Sequence, residues 1–245
     1  PWHLPAPLTF MKVVFFGSSE FSIPILKALV SSSNSVVQVI TTPDRKKGRG
    51  QKLSPSPVKI SAQELGLLVS TPEKLSDPSL VGSIKGLAPD LEIIASYGKM
   101  VPASIFTISK VASLNVHPSL LPRHRGASPI QQAILEDDKK TGVSIAEVTK
   151  ELDAGDLFGQ VETRIGQEEN AEGLSERLTQ MGAELLLGVI AQLAKGQMTK
   201  TKQNPTQATY AKKLERDSGC LDWTKPAAYL HNQVRAYYPW PSAFT

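Results

Sequence analysis

Residues Met11 to Val30, MKVVFFGSSEFSIPILKALV, decide how the chain folds. Met11 to Gly17 is a short apolar run ending in glycine, the pattern of a buried strand. Ser18, Ser19 and Glu20 then mark a tight turn with serine helix caps, and apolar residues recur at helical spacing as far as Val30. The unit reads strand, turn, helix.

Outward from it the pattern repeats. Val36 to Thr41, Leu67 to Ser70, Leu91 to Ser96 and Val111 to Val116 read as strands. Val58 to Leu65, Pro78 to Leu87 and Pro129 to Glu136 read as helices. Gly142 to Val148 alternates as a strand, Phe158 to Ile165 continues that pairing antiparallel, and Ala171 to Lys195 is a long amphipathic helix. Strands alternating with helices predict an α/β fold: a doubly wound, mostly parallel sheet of Rossmann-like design, with helices on both faces. Ligands of such sheets sit outside the carboxyl ends of the strands, where Gly17, Asn115 and His117 fall. From about Gln207 the composition changes as Tyr210, Trp223, Tyr229, Tyr237, Tyr238 and Trp240 accumulate, which predicts a boundary and a second, incomplete unit.

Composition narrows the function classes. Of 245 residues, 40% are hydrophobic and 20% charged, the balance of an ordinary globular protein. No apolar run approaches the roughly 20 residues that span a bilayer, so no membrane partner is expected. The single cysteine, Cys220, excludes an internal disulfide framework and fits a reducing, cytoplasmic location. His3, His117, His124 and His231 are too scattered for a Cys/His cluster, so no metal is expected. Gly17-Ser18-Ser19 lacks the G-x-G-x-x-G pattern, which argues against a nicotinamide cofactor. Between residues 44 and 52, Arg45, Lys46, Lys47, Arg49 and Lys52 stand against Asp44 alone, so one glycine-spaced loop carries the whole net charge of +4. Such runs are most often solvated faces. Arg and Lys on a flexible segment can also follow phosphates, with Arg49 placed to reach base edges.

The chemistry-bearing stretch is Ser113 to Pro122, SLNVHPSLLP. Asn115 and His117, two apart at a strand end, project to the same side. An Asn amide can donate to a carbonyl oxygen that becomes an oxyanion, and a His can move a proton near neutral pH, a pairing suited to acyl transfer to an amine. Asp153, within Leu152-Asp153-Ala154-Gly155-Asp156, adds a carboxylate at a glycine-containing turn that can orient the imidazole. His124, Asp138 and Asp156 read as surface or turn residues, and Cys220 as inert.

Asn-x-His-Pro-Ser-Leu-Leu-Pro, followed 36 residues after the His by the Asp of Leu-Asp-Ala-Gly, resembles the signature of the folate-dependent formyltransferases. That family includes enzymes acting on glycinamide ribonucleotide, methionyl-tRNA and sugar nucleotides. The likeness runs from Met11 to about Ile165, its pieces in the expected order. Phe16-Gly17-Ser18-Ser19-Glu20-Phe21, Thr42-Pro43-Asp44-Arg45 with Gly48-Arg49-Gly50, and Ser56-Pro57-Val58-Lys59 resemble the members that act on methionyl-tRNA. Leu221-Asp222-Trp223, Val234-Arg235-Ala236 and Pro239-Trp240-Pro241 resemble the start of their barrel-like, β-rich C-terminal domain. The resemblance implies a catalytic set of Asn115, His117 and Asp153, with 10-formyltetrahydrofolate as co-substrate. The folate donor would lie against Tyr97, Gly98, Lys99, Met100 and Val101, and against Ser119, Leu120, Leu121 and Pro122. It also implies initiator methionyl-tRNA as partner, held by Arg45, Lys46, Lys47, Arg49 and Lys52. The expected division is an extension or tag remnant at 1–10, a catalytic domain at 11–206, and at 207–245 a linker and the beginning of an incomplete C-terminal domain. A monomer would suffice. Two rivals keep the same residues: a sugar-nucleotide formyltransferase acting on an aminosugar, and a catalytically inactive RNA-binding relative.

Overall fold

The computed structural model describes residues 10–47 and 50–245, and its elements follow the order expected from the sequence. They begin with β1 (Lys12–Gly17), α1 (Ser22–Ser31), β2 (Ser35–Ile40) and a small hairpin of β3 (Arg45–Lys47) and β4 (Lys52–Ser54). Next come α2 (Pro57–Glu64), β5 (Val69–Ser70), α3 (Pro78–Leu87), β6 (Leu91–Ala95) and a short α4 (Ala103–Phe106). After β7 (Ala112–His117) the chain forms β8 (Arg125–Gly126), α5 (Pro129–Leu135), β9 (Lys140–Glu147) and β10 (Leu157–Arg164). The long α6 (Ala171–Ala194), β11 (Tyr210–Ala211) and α7 (Ala227–Ala236) complete it. The expected segment before Phe10 lies outside the described residues.

The main sheet has seven strands in the order β10-β9-β7-β6-β1-β2-β5. Its members from β5 to β7 run parallel, whereas β9 is antiparallel to β7 and β10 to β9. Val13, Phe15, Val39 and Ile93 pack with residues of α1, α2, α5 and α6 on one face. Val14, Phe16 and Ile40 pack with residues of α3 and α4 on the other. With both faces covered, the central strands bury nearly every side chain, at ~1.5–3 kcal/mol for each fully buried large aliphatic. Among the described residues no helix is long and apolar enough to cross a membrane.

Helix starts follow local chemistry. Ser56 Oγ accepts from the Lys59 N–H at 3.0 Å with Pro57 beginning α2, and Asn170 Oδ1 accepts from the Gly173 N–H at 2.9 Å at the start of α6. The expected serine caps of α1 are absent. Ser18 Oγ instead donates to the carbonyls of Ser96 and Tyr97 at 2.9 and 2.8 Å, and Ser22 Oγ donates to the Ala95 carbonyl at 2.6 Å. These hydroxyls staple the β1–α1 turn to the end of β6, which fixes where Tyr97 leaves the sheet.

Beyond α6 the chain turns back onto the sheet. Thr201 and Leu157 exchange backbone hydrogen bonds at 2.8 and 2.9 Å, and Tyr210–Ala211 pairs in parallel with Arg125–Gly126.

One buried row carries three polar side chains beside a valine. Gln38, Val14, Glu92 and Ser113 are register neighbours across β2, β1, β6 and β7. Glu92 is 0% exposed and neither carboxyl oxygen has a hydrogen bond of normal geometry. Burial pushes its carboxyl from 4.5 up to about 7, against a weaker downward pull from the Ser113 and Ser109 hydroxyls. The folded chain therefore holds this proton more tightly than the unfolded chain, and stability falls as pH rises from 4.5 through about 7. Glu92→Gln should raise the unfolding free energy near pH ~8 by up to about 3 kcal/mol, with the gain vanishing below pH ~4.5. Urea denaturation at both pH values checks this, and an equal effect at both overturns it.

Candidate active site

Asn115 and His117 end β7 on the face covered by α3 and α4, because Asn115 is the register neighbour of Ile94 and the two side chains share the strand period. Here β6 also ends, and the chain passes through Ser96 in a left-handed conformation into Tyr97. The loop between β9 and β10 brings Asp153 over the same point. Together these segments wall a cavity of about 660 Å³ that includes Asn115, His117 and Asp153 in its lining.

The three side chains meet. Asn115 Nδ2 donates to Asp153 Oδ1 at 2.9 Å, and His117 Nδ1 stands 3.6 Å from Asp153 Oδ2. The Gly126 N–H donates to that same Oδ2 at 2.8 Å. Asp153 itself is left-handed, with φ +50°. Its loop closes over β9 because Gly155 has no side chain: a β-carbon there would lie 2.0 Å from the Glu147 carbonyl oxygen. Gly126 is equally constrained, with φ +114° and the Ala211 carbonyl oxygen 2.5 Å from where a β-carbon would stand.

His117 is 4% exposed, and its Nε2 lies 2.9 Å from the His124 carbonyl oxygen. A carbonyl only accepts, so Nε2 carries the hydrogen and Nδ1 is the nitrogen left for the cavity. Of His124 and Asp138, read as surface or turn residues, His124 does lie in the turn before β8, but it is buried and Asp138 is half-buried. His124 is 2% exposed at φ +57°, its Nε2 is 2.7 Å from Asp138 Oδ2, and Arg123 pairs with Asp138 at 2.6 Å. This group stands behind His117 and aims the carbonyl that selects its tautomer. Among the described residues, His124, Glu136 and Asp138 have metal-ligand spacing, with ligand atoms within 4.8 Å of one another. Both carboxylates there are already paired with the Arg123 guanidinium, at 3.2 Å to Glu136.

Tyr97, Gly98, Lys99, Met100 and Val101 all line the cavity. Lys99 Nζ is turned to the carbonyls of Glu73 and Pro72, at 2.9 and 3.2 Å. Ser119, Leu120, Leu121 and Pro122 are not brought to the lining; Pro118 is. Ser119 is fully buried and donates to the Arg123 carbonyl at 2.6 Å, Leu121 packs with Ala146 and Leu157, and the Pro122 carbonyl accepts from the Thr209 N–H at 3.2 Å. The chain turns away from the cavity at Pro118, so these residues form its support. Of the basic residues, Arg45, Lys46 and Lys52 are exposed on the β3–β4 hairpin. Lys47 continues β3, its side chain and all of Arg49 lying outside the described residues. Asp44 is held by Lys59 Nζ at 2.7 Å, so the hairpin's lone acidic residue is neutralised at its base. Gly126, Arg125 and Gln203 were missed from sequence. Arg-Gly after the Leu-Leu-Pro segment was the signal for the first two, while nothing local marks Gln203.

Residues 11–190 match the family model described as formyl transferase, and residues 213–245 match that of the formyl transferase C-terminal domain. The chain is 43% identical over 235 residues to the methionyl-tRNA formyltransferase of Sulfurihydrogenibium sp. (strain YO3AOP1), covering 96% of this chain and 76% of that protein. It is 42% identical, with the same coverage, to the methionyl-tRNA formyltransferase of Methylococcus capsulatus. The solved structure of a 4-N formyltransferase from Francisella tularensis superimposes with a TM-score of 0.74 at 18% identity, over 95% of this chain and 91% of that one, a likeness of fold. Identity of this order along nearly the whole length, with one family model spanning most of it, places the chain in the formyl transferase family, among the methionyl-tRNA formyltransferases.

Proposed function

We propose that the chain transfers the formyl group of 10-formyltetrahydrofolate to the α-amine of initiator methionyl-tRNA in the cytoplasm, for translation initiation, and that Asn115, His117 and Asp153 carry the chemistry. The observation that supports this most is the convergence of their polar atoms on one cavity, with a single imidazole nitrogen left open to it. The cavity's volume of about 660 Å³ lies within the range of small-ligand sites, and Tyr97, Met100, Val101, Ile94 and Val148 give it apolar walls. Those residues fit a flat heteroaromatic ring, and the donor supplies a formyl carbon already activated on nitrogen.

The remaining work falls to the side chains. An α-amine of pKa near or below about 8 is partly neutral at physiological pH and needs no protein nucleophile. As it attacks, negative charge grows on the formyl oxygen. Asn115 Nδ2 gives one hydrogen to Asp153 and keeps the other for that oxygen. With Nε2–H fixed on the His124 carbonyl, His117 takes the proton shed by the attacking amine at Nδ1, 3.6 Å from the Asp153 carboxylate, and returns it to the folate nitrogen as the bond from that nitrogen to the formyl carbon breaks, releasing tetrahydrofolate and the formylated amine. One oxyanion donor is worth ~10²–10³-fold in rate, and one positioned acid–base group ~10²–10⁴-fold.

Incubation with the folate donor and either charged initiator tRNA or an aminosugar nucleotide should formylate the tRNA alone. Formylation of the sugar alone would overturn the assignment. His117→Ala should lower kcat by ~10²–10⁴-fold in a chain that still folds, as circular dichroism would check; wild-type rates would remove His117 from the mechanism.

The hairpin leaves the sheet just beyond β2, at the carboxyl edge that holds the cavity, and presents Arg45, Lys46 and Lys52 to solvent. Their substitution by Ala together should raise KM for tRNA, leave KM for folate unchanged, and reduce the salt dependence of tRNA binding by ~1 counterion per lost phosphate contact. An unchanged salt slope would show that these residues touch no phosphate.

A further inference from the structure

Gln203 lies between the two family-matched regions, residues 11–190 and 213–245. From the geometry we infer that Gln203 is a positioning residue for the reaction: it holds the Asp153 loop through its side-chain amide, with Arg125 fixing that amide's orientation. The inference rests on the proposed role of Asp153.

The contacts leave the amide one orientation. Gln203 Nε2 donates to the Asp153 carbonyl at 2.9 Å and to the Gly155 carbonyl at 2.7 Å. Its Oε1 accepts from Arg125 Nε at 3.2 Å and Nη2 at 2.8 Å. Carbonyls only accept and a guanidinium only donates, so exchanging amide nitrogen and oxygen would break every one of these bonds. Both amide hydrogens and both oxygen lone pairs are engaged.

Each partner is held in turn. Arg125 is 6% exposed and sits in β8, paired with Tyr210–Ala211. Its neighbour Gly126 donates its N–H to Asp153 Oδ2. Gln203 therefore grips the Asp153 backbone on one side while the residue after Arg125 grips its carboxylate on the other. Asp153, at φ +50°, needs such restraint, because a non-glycine residue there relaxes unless its surroundings hold it. Thr201, two residues before Gln203, is fixed to Leu157 by two backbone bonds, so the segment enters already anchored. The stretch that joins the two matched regions thus belongs to the catalytic apparatus.

Two substitutions separate positioning from mere stabilisation. Gln203→Ala removes every contact of the amide. Gln203→Glu retains and strengthens the pair with Arg125 but turns a carboxylate oxygen toward the Asp153 and Gly155 carbonyls. Both should lower kcat by ~10–100-fold, with KM for folate and for methionyl-tRNA within about twofold of wild type. Added to Asp153→Ala, Gln203→Ala should cost nothing further, since it acts through that carboxylate. The inference is overturned if Gln203→Glu retains wild-type kcat, or if the Gln203→Ala and Asp153→Ala losses multiply. Asp153→Ala alone judges the underlying reading: if it leaves kcat intact, the role of Asp153 falls, whereas a large loss there beside a harmless Gln203→Glu sinks the Gln203 inference alone.

Discussion

A carboxylate facing an imidazole inside a cavity loses most of its water, and the loss costs several kcal/mol unless fixed donors replace it. Asp153 receives those donors from two separate parts of the chain, the Asn115 amide at the end of β7 and the Gly126 N–H in β8, with the His117 ring 3.6 Å from its carboxylate. Their geometry is possible only where the β9–β10 loop presses onto Glu147 and β11 presses onto Gly126, both approaches that a β-carbon would block. The position of one side chain thus sets the residue choice at two glycines, Gly155 in its own loop and Gly126, 27 positions away.

Left-handed backbone recurs around the cavity: Ser96 at φ +46°, His124 at +57° and Asp153 at +50°. Each costs ~1–3 kcal/mol in a non-glycine residue and persists only where neighbours over-determine it. Ser96 is tied by Ser18 and Ser19, His124 by Asp138 and by the Thr209 hydroxyl, and Asp153 by Gln203. The conformational cost is met by hydrogen bonds formed on folding. The polar groups that face the cavity are consequently held in one arrangement, and under the proposed mechanism little reorganisation would remain for the reaction step.

What could be read in advance follows the range of the interactions. The central strands were legible because burial on both faces makes their apolar runs continuous, and Asn115 with His117 because a period of two puts both on one side. The β3–β4 hairpin was not, since Arg45–Lys47 and Lys52–Ser54 are too short and too polar to show alternation. The fate of Ser119 to Pro122 depended on a turn at Pro118 that buries Ser119 and Leu121 against β9 and β10. His124 read as a surface or turn residue, and its burial within that turn was hidden because its partner Asp138 lies 14 positions on; Gln203 was silent because its partners lie 48 to 78 positions away. Expectations failed where a single long-range polar contact decides the outcome.

Under the proposed mechanism the same three side chains would serve any primary amine brought to the cavity, so acceptor choice would come from another part of the molecule. A charge near a solvated surface acts over about 10 Å at 0.1 M salt, whereas the Asn115, His117 and Asp153 contacts act over a single hydrogen bond. Arg45, Lys46 and Lys52 stand exposed on a hairpin that follows the carboxyl end of β2, none of them lining the cavity, and Asp44 at its base is paired with Lys59. The exposed cations and the hydrogen-bonded set at the cavity thus belong to different segments of the chain, so that the proposed recruitment of a charged acceptor and the proposed chemistry can be altered separately.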